Sequence, residues 1–134
     1  MEINLPNNYF KDAGVKSIVK GIPTHNHLKR LHFCFSDCNL CSKSGVSIGK
    51  LFGKLKKVED LEVDISWNEE FKDQGVKKVV QGIPTHNHLK KLGLNFSDCN
   101  LSQKSGDFLK EMFPKLTKVE DLAIHLNDNF GFKE

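Results

Sequence analysis

The chain has 134 residues, 38% of them hydrophobic, and 20 Lys and Arg against 17 Asp and Glu give a formal charge of +3. That length suits one domain, the composition excludes a mainly disordered chain, and no apolar run approaches the roughly 20 residues of a membrane helix. Arg30 is the only guanidinium among the cations, which argues against a nucleic-acid binder, because such domains concentrate basic charge and use Arg for bidentate contacts. The opening Met1-Glu2-Ile3-Asn4-Leu5-Pro6 has neither the charged nor the apolar region of a signal peptide, so an intracellular, cytoplasmic protein without a membrane span is expected.

In chain order, Ile3 and Leu5 suggest a first short strand. Asp12 stands where a helix N-cap would, and Val15, Ile18, Val19 and Ile22 then fall at i, i+3, i+4 and i+7, the stripe of an amphipathic helix. Pro23 pushes Ile22 out of helical geometry and stops it. Leu31, Phe33 and Phe35 alternate at period two, a strand with one face in the core. Ile48, Leu51, Phe52 and Leu55 give a second helical stripe, and Leu61, Val63 and Ile65 another strand. The pattern then starts again, with Asp73 as cap, Val76, Val79, Val80 and Ile83 as stripe, Pro84 as stop and Leu92, Leu94 and Phe96 as strand. Leu122, Ile124 and Leu126 close the series.

This recurrence is a duplication. Residues 14–73 align without a gap onto residues 75–134, with 34 identities in 60 positions. Each copy divides again, because Leu31, Leu61, Leu92 and Leu122 recur at spacings of 30, 31 and 30. The unit Leu28-x-x-Leu31-x-Phe33-x-Phe35-x-x-Cys38-x-Leu40 therefore resembles a leucine-rich repeat, closest to the strand-plus-helix type of ribonuclease inhibitor. Cys38, Asn68, Cys99 and Asn129 stand at the position that family fills with Asn or Cys. The resemblance implies an α/β solenoid of four repeats in a single domain spanning 1–134, with a parallel sheet on a concave face, helices on a convex face, and work done by binding proteins. It supplies no catalytic residues. The units of 30 to 31 residues exceed the usual length, and the extra apolar positions Phe35, Ile65, Phe96 and Leu126 imply longer strands.

Residues between the inward apolar ones must face the other side of the sheet. They form the rows Arg30, Asp60, Lys91, Asp121; His32, Glu62, Gly93, Ala123; Cys34, Asp64, Asn95, His125; and Ser36, Ser66, Ser97, Asn127. The first row alternates in sign and reads either as a self-neutralising ladder or as part of a binding face. Asp60, Glu62 and Asp64 form an acidic stripe suited to a basic partner. Trp67 follows that strand and reads either as packed over the sheet edge or as a binding hot spot. Lys16, Lys20, Lys50, Lys54, Lys77 and Lys110 read either as a solvated helix face or as one that meets an acidic surface or partner.

Few motifs suggest chemistry. Cys34-x-x-x-Cys38-x-x-Cys41 matches the spacing of a three-cysteine iron-sulfur motif, but its counterparts in the second copy are Asn95, Cys99 and Ser102. His25-Asn26-His27 and His86-Asn87-His88 follow prolines and read as turns. With His32 and the three cysteines, His25 and His27 compose the alternative, a metal-binding protein or metalloenzyme. The leading expectation is a non-catalytic scaffold without cofactor, binding a protein partner or sitting in a larger assembly. The flank beside Leu122 to Asn127, Phe130 and Phe132 is expected to be covered by another subunit or further repeats.

Overall fold

The structure is a computed structural model that describes residues 1–6 and 9–130. Its elements are β1 (Glu2–Asn4), α1 (Lys11–Gly21), β2 (Arg30–Cys34), α2 (Ser42–Lys54), β3 (Asp60–Asp64), α3 (Lys72–Gly82), β4 (Lys91–Asn95), α4 (Lys104–Met112) and β5 (Asp121–His125). The strands form one parallel sheet in the order β1-β2-β3-β4-β5, each helix returning the chain to the next strand start. The spacings of 30, 31 and 30 set the register, aligning Leu31, Leu61, Leu92 and Leu122 in one row and Ile3, Phe33, Val63, Leu94 and Ile124 in another. This is an α/β architecture with an open sheet, and none of its helices is long and apolar enough to cross a membrane among the described residues.

The core lies between the apolar face of the sheet and the helix stripes. Leu31, Phe33, Phe35, Ile48, Leu51, Leu61, Ile65, Val76 and Val79 are all buried in it, each such side chain stabilising the fold by roughly 1.5–3 kcal/mol. Phe10 stacks on Phe35 and Phe71 on Phe96, with ring centroids 5.4 and 5.9 Å apart, so the residue before α1 and the residue before α3 pack on the sheet alike. Helices α1 and α3 stop where Pro23 and Pro84 demand it: Ile22 and Ile83 have ψ of 118° and 117°, an extended backbone. Pro114 replaces Gly53 of the first copy, and α4 ends early in a single 3-10 turn, Phe113–Lys115.

Three sequence expectations are corrected. Asp12 and Asp73 do not cap their own helices, which begin at Lys11 and Lys72 after Phe10 and Phe71. They tie down the segments that enter the next ones. Asp12 Oδ1 accepts the Cys41 N–H at 3.0 Å and the Ser44 hydroxyl at 2.5 Å, at the start of α2, and Asp73 accepts the Ser102 N–H and the Ser102 and Ser105 hydroxyls beside α4. Lys54 is not a solvated cation. Its Nζ donates to the carbonyls of Val19 at 2.7 Å and Ile22 at 2.9 Å, satisfying the open end of α1. The strands are five residues long from β2 onward and stop before Phe35, Ile65 and Phe96, whose N–H groups each add one further bond to the last residue of the adjacent strand.

The turns after the strands are held by buried amides. Asn68 Oδ1 accepts the N–H groups of Cys38 at 3.0 Å and Leu40 at 2.9 Å, while its Nδ2 donates to the carbonyls of Phe35 and Ile65. Asn129 does the same for Cys99, Leu101, Phe96 and Leu126. Cys38 and Cys99 fill the alternate turns, their thiols donating to the carbonyls of Leu5 and Ile65. Helices α2 and α3 pack more extensively than any other helix pair, because glycines remove the side chains between them. A Cβ on Gly82 would lie 2.2 Å from the Gly49 Cα, and one on Gly45 would lie 2.5 Å from the Gly75 carbonyl oxygen.

Candidate functional site

The side chains opposite the core define the candidate surface, and the strand register arranges them. Arg30 pairs with Asp60, Asp60 with Lys91 and Lys91 with Asp121 in the first row; His32, Glu62, Gly93 and Ala123 form the second, joined by Glu2; Cys34, Asp64, Asn95 and His125 form the third, joined by Asn4. Ser36, Ser66, Ser97 and Asn127 fall in the turns beyond the strand ends. The middle of the face is a hollow of about 310 Å³, floored at Gly93 and Ala123 and bordered by Glu62, Asp64, Asn95 and His125.

Charge on this face is only partly balanced. Arg30 Nε lies 3.5 Å from Asp60 Oδ2, and among the described residues no ion pair within 4.0 Å joins Lys91 or Asp121 to the row. The alternating ladder is therefore closed at one step and open at the others. His32 bridges the rows: its Nδ1 lies 3.0 Å from Glu62 Oε2, and its Nε2 accepts from Arg30 Nε at 3.1 Å. Asp60 Oδ1, at the start of the acidic strand and 3.5 Å from the same Nε2, is buried and has no hydrogen-bond partner. Asp64 turns one oxygen to the Ser66 N–H and hydroxyl, and Cys34 Sγ lies 3.8 Å from its other oxygen.

Trp67 does not pack over the sheet edge. It is 60% exposed and has φ of 63°, a left-handed backbone that it shares with Asp37, Asp98 and Asp128 at the same position of the other turns. Asp tolerates that conformation well; a large side chain without a local polar group does not. Around Trp67, the exposed Tyr9 together with Asp37, Asn39, Glu69 and Glu70 borders a depression of about 520 Å³.

The cysteines of the metal alternative go to separate surroundings. Cys34 faces Asp64 on the sheet, Cys38 is buried against Leu5, and the Cys41 thiol donates to Asp12 Oδ2 at 2.9 Å. Burial, then the Asp12 carboxylate, raise the Cys41 pKa, and burial pushes that of Cys99 up to about 12, so both stay protonated at neutral pH. Among the described residues no three or more His, Cys, Asp or Glu come together to hold an ion. His25 and His27 are exposed, and Asn26 between them ties the turn, donating to the carbonyls of Pro23 and Lys54 and accepting the Leu28 N–H.

One recess escaped the reading of the sequence. Between α1 and α2 runs a groove of about 540 Å³ that brings Lys16, Lys20 and Lys50 of the helix face together with Lys11 and Lys43. The signal was present in the alignment of the two copies, at Ser47 against Phe108. Comparison with protein-family models finds none that matches this chain, and comparison with curated proteins finds no significant relative.

Proposed function

We propose that the chain is a leucine-rich-repeat solenoid that acts as a non-catalytic protein-binding scaffold, and that its sheet face and the Trp67 turn take a basic partner. The observation that carries this reading is Trp67 itself. An exposed indole in a left-handed turn costs about 1–2 kcal/mol of backbone strain, and it stands where the other turns carry an Asp. Such a residue supplies large, rigid contact area at little cost in entropy. Glu69 and Glu70 border its depression and Asp60, Glu62 and Asp64 lie on the strand that leads to it; of these Glu62, Glu69 and Glu70 are exposed, a field that steers cationic surfaces. Arg30, His32, Cys34, Lys91, Asn95, Asp121 and His125 complete the face.

The test is Trp67→Asp, which installs the residue of the other three turns. Partners captured on the full chain should lose affinity at least tenfold with the unfolding midpoint unchanged or raised; unchanged affinity would remove the sheet face from the reading. The solenoid reading also assigns the flank beyond β5 to a contact in the assembly, by another subunit or further repeats. There Leu122 is 40% and Phe130 85% exposed, and Phe132 lies outside the described residues. Sedimentation of the 134-residue chain should show self-association, and a monomer at high concentration would contradict that assignment.

A further inference from the structure

The two copies share most of their residues, so the places where they differ in one structural setting are informative. The groove between α1 and α2 has a direct counterpart between α3 and α4. In the second copy Phe108 enters that space, with the Lys77 ammonium 5.5 Å from its ring centroid. In the first copy the same position is Ser47, and the groove stands open over an apolar floor of Ala13, Val19 and Val46, the last 40% exposed.

The charges around it differ as well. At the α3–α4 counterpart Lys72, Lys77 and Lys104 go with Asp73, Asp107 and Glu111. At the first-copy groove the matching residues are Lys11, Lys16 and Lys43 with Asp12, Val46 and Lys50, and Lys20 replaces Gln81. Five lysines thus face one acid. That acid is already engaged, because Asp12 accepts from Cys41 and Ser44 across the repeat. Relative to its own duplicate, this groove has lost an aromatic plug and two carboxylates, and has gained cations.

We propose that the α1–α2 groove is a docking site for an acidic peptide segment carrying one aromatic anchor, the anchor taking the volume that Phe108 fills in the second copy and the acids meeting the lysine rim. The recess selects a side chain rather than a flat lipid surface, since it lies between two helices and is rimmed on both of them, by Lys11, Lys16 and Lys20 on α1 and by Lys43 and Lys50 on α2. Lysine stems cover apolar surface while their ammonium groups stay in water, which suits a partner with this mixed chemistry. The site is on the helix layer and does not depend on the reading of the sheet face.

The probe is a short fluorescein-labelled peptide of Glu residues around one central Phe, titrated against the full chain by fluorescence anisotropy. Binding should weaken with added salt, and a peptide with Ala for its Phe should bind at least tenfold more weakly. Ser47→Phe, which copies the second half and so has a precedent for folding, should abolish binding without lowering the unfolding midpoint. The triple change Asp107→Val, Phe108→Ser and Glu111→Lys should create a second site, raising the stoichiometry from one peptide to two. Equal binding of the Ala peptide, or unchanged binding by the Ser47→Phe variant, would overturn the anchor and the groove. Tighter binding of phosphatidylserine vesicles than of the peptide, also abolished by Ser47→Phe, would replace the peptide by a membrane and overturn the proposal.

Discussion

Replacing Asn68 by Ala tests how the repeats are held to one another. The Asn68 side chain is 1% exposed, and its oxygen is the acceptor for two N–H groups on residues that are themselves buried, Cys38 at 0% and Leu40 at 1%. Truncation leaves both donors unsatisfied, at about 1–3 kcal/mol each, and removes donors to the Phe35 and Ile65 carbonyls. A loss of about 3–5 kcal/mol is expected, a large fraction of the 5–15 kcal/mol typical of a domain. Urea unfolding followed by circular dichroism measures it. Asn129→Ala removes equivalent bonds at the flank beyond β5, where its side chain is 6% exposed and water reaches more easily, so its loss should be smaller. A change below about 1 kcal/mol for Asn68→Ala, or an equal change for both variants, would refute the reasoning.

Gly82→Ala must push two helix backbones apart and should destabilise by about 1–3 kcal/mol or more, whereas Gly21→Ala, with nothing within 4 Å of the new Cβ, should be neutral or stabilising by up to about 1 kcal/mol; thermal unfolding of the pair separates contact from propensity. Burial opposes ionisation of Asp73, but the Ser102 and Ser105 hydroxyls and the Ser102 N–H outweigh it and hold its pKa below the ordinary 3.8 of an aspartate. Because the folded value is the lower one, its contribution is present above about pH 4 and is lost as pH falls through the folded pKa. Asp73→Asn should therefore lower stability at pH 7 and flatten the acid limb of the urea midpoint against pH. Iodoacetamide on the native chain should label Cys34 first and leave Cys99 unmodified until unfolding, as peptide mass mapping would show; early modification of Cys99 would contradict its burial.

Strand positions and register were legible because a period of 30 or 31 residues acts on every unit at once: placing Leu31 fixes Leu61, Leu92 and Leu122, and alternation then assigns each neighbour to a face. Helix ends at Ile22 and Ile83 were legible because the Pro effect is local. The roles of Asp12 and Lys54 were not, since their partners lie 29 to 35 residues away in the chain. Glycines in α2 and α3 read only as weak helix formers until the two backbones are seen to touch. Trp67 was placed in its turn correctly, yet its exposure depends on what lies around that turn. The groove between α1 and α2 required knowing that Ser47 and Phe108 both point between two helices.

The glycine contact between α2 and α3 also separates two meanings of the word unit. The segment that was copied runs from α1 to β3 and again from α3 to β5, so α2 belongs to one copy and α3 to the other. The most extensive helix contact among the described residues therefore lies within neither copy and joins one to the other. What was inherited as a block and what is packed as a block are offset by half a copy, and a lone copy would carry each half of that contact facing solvent.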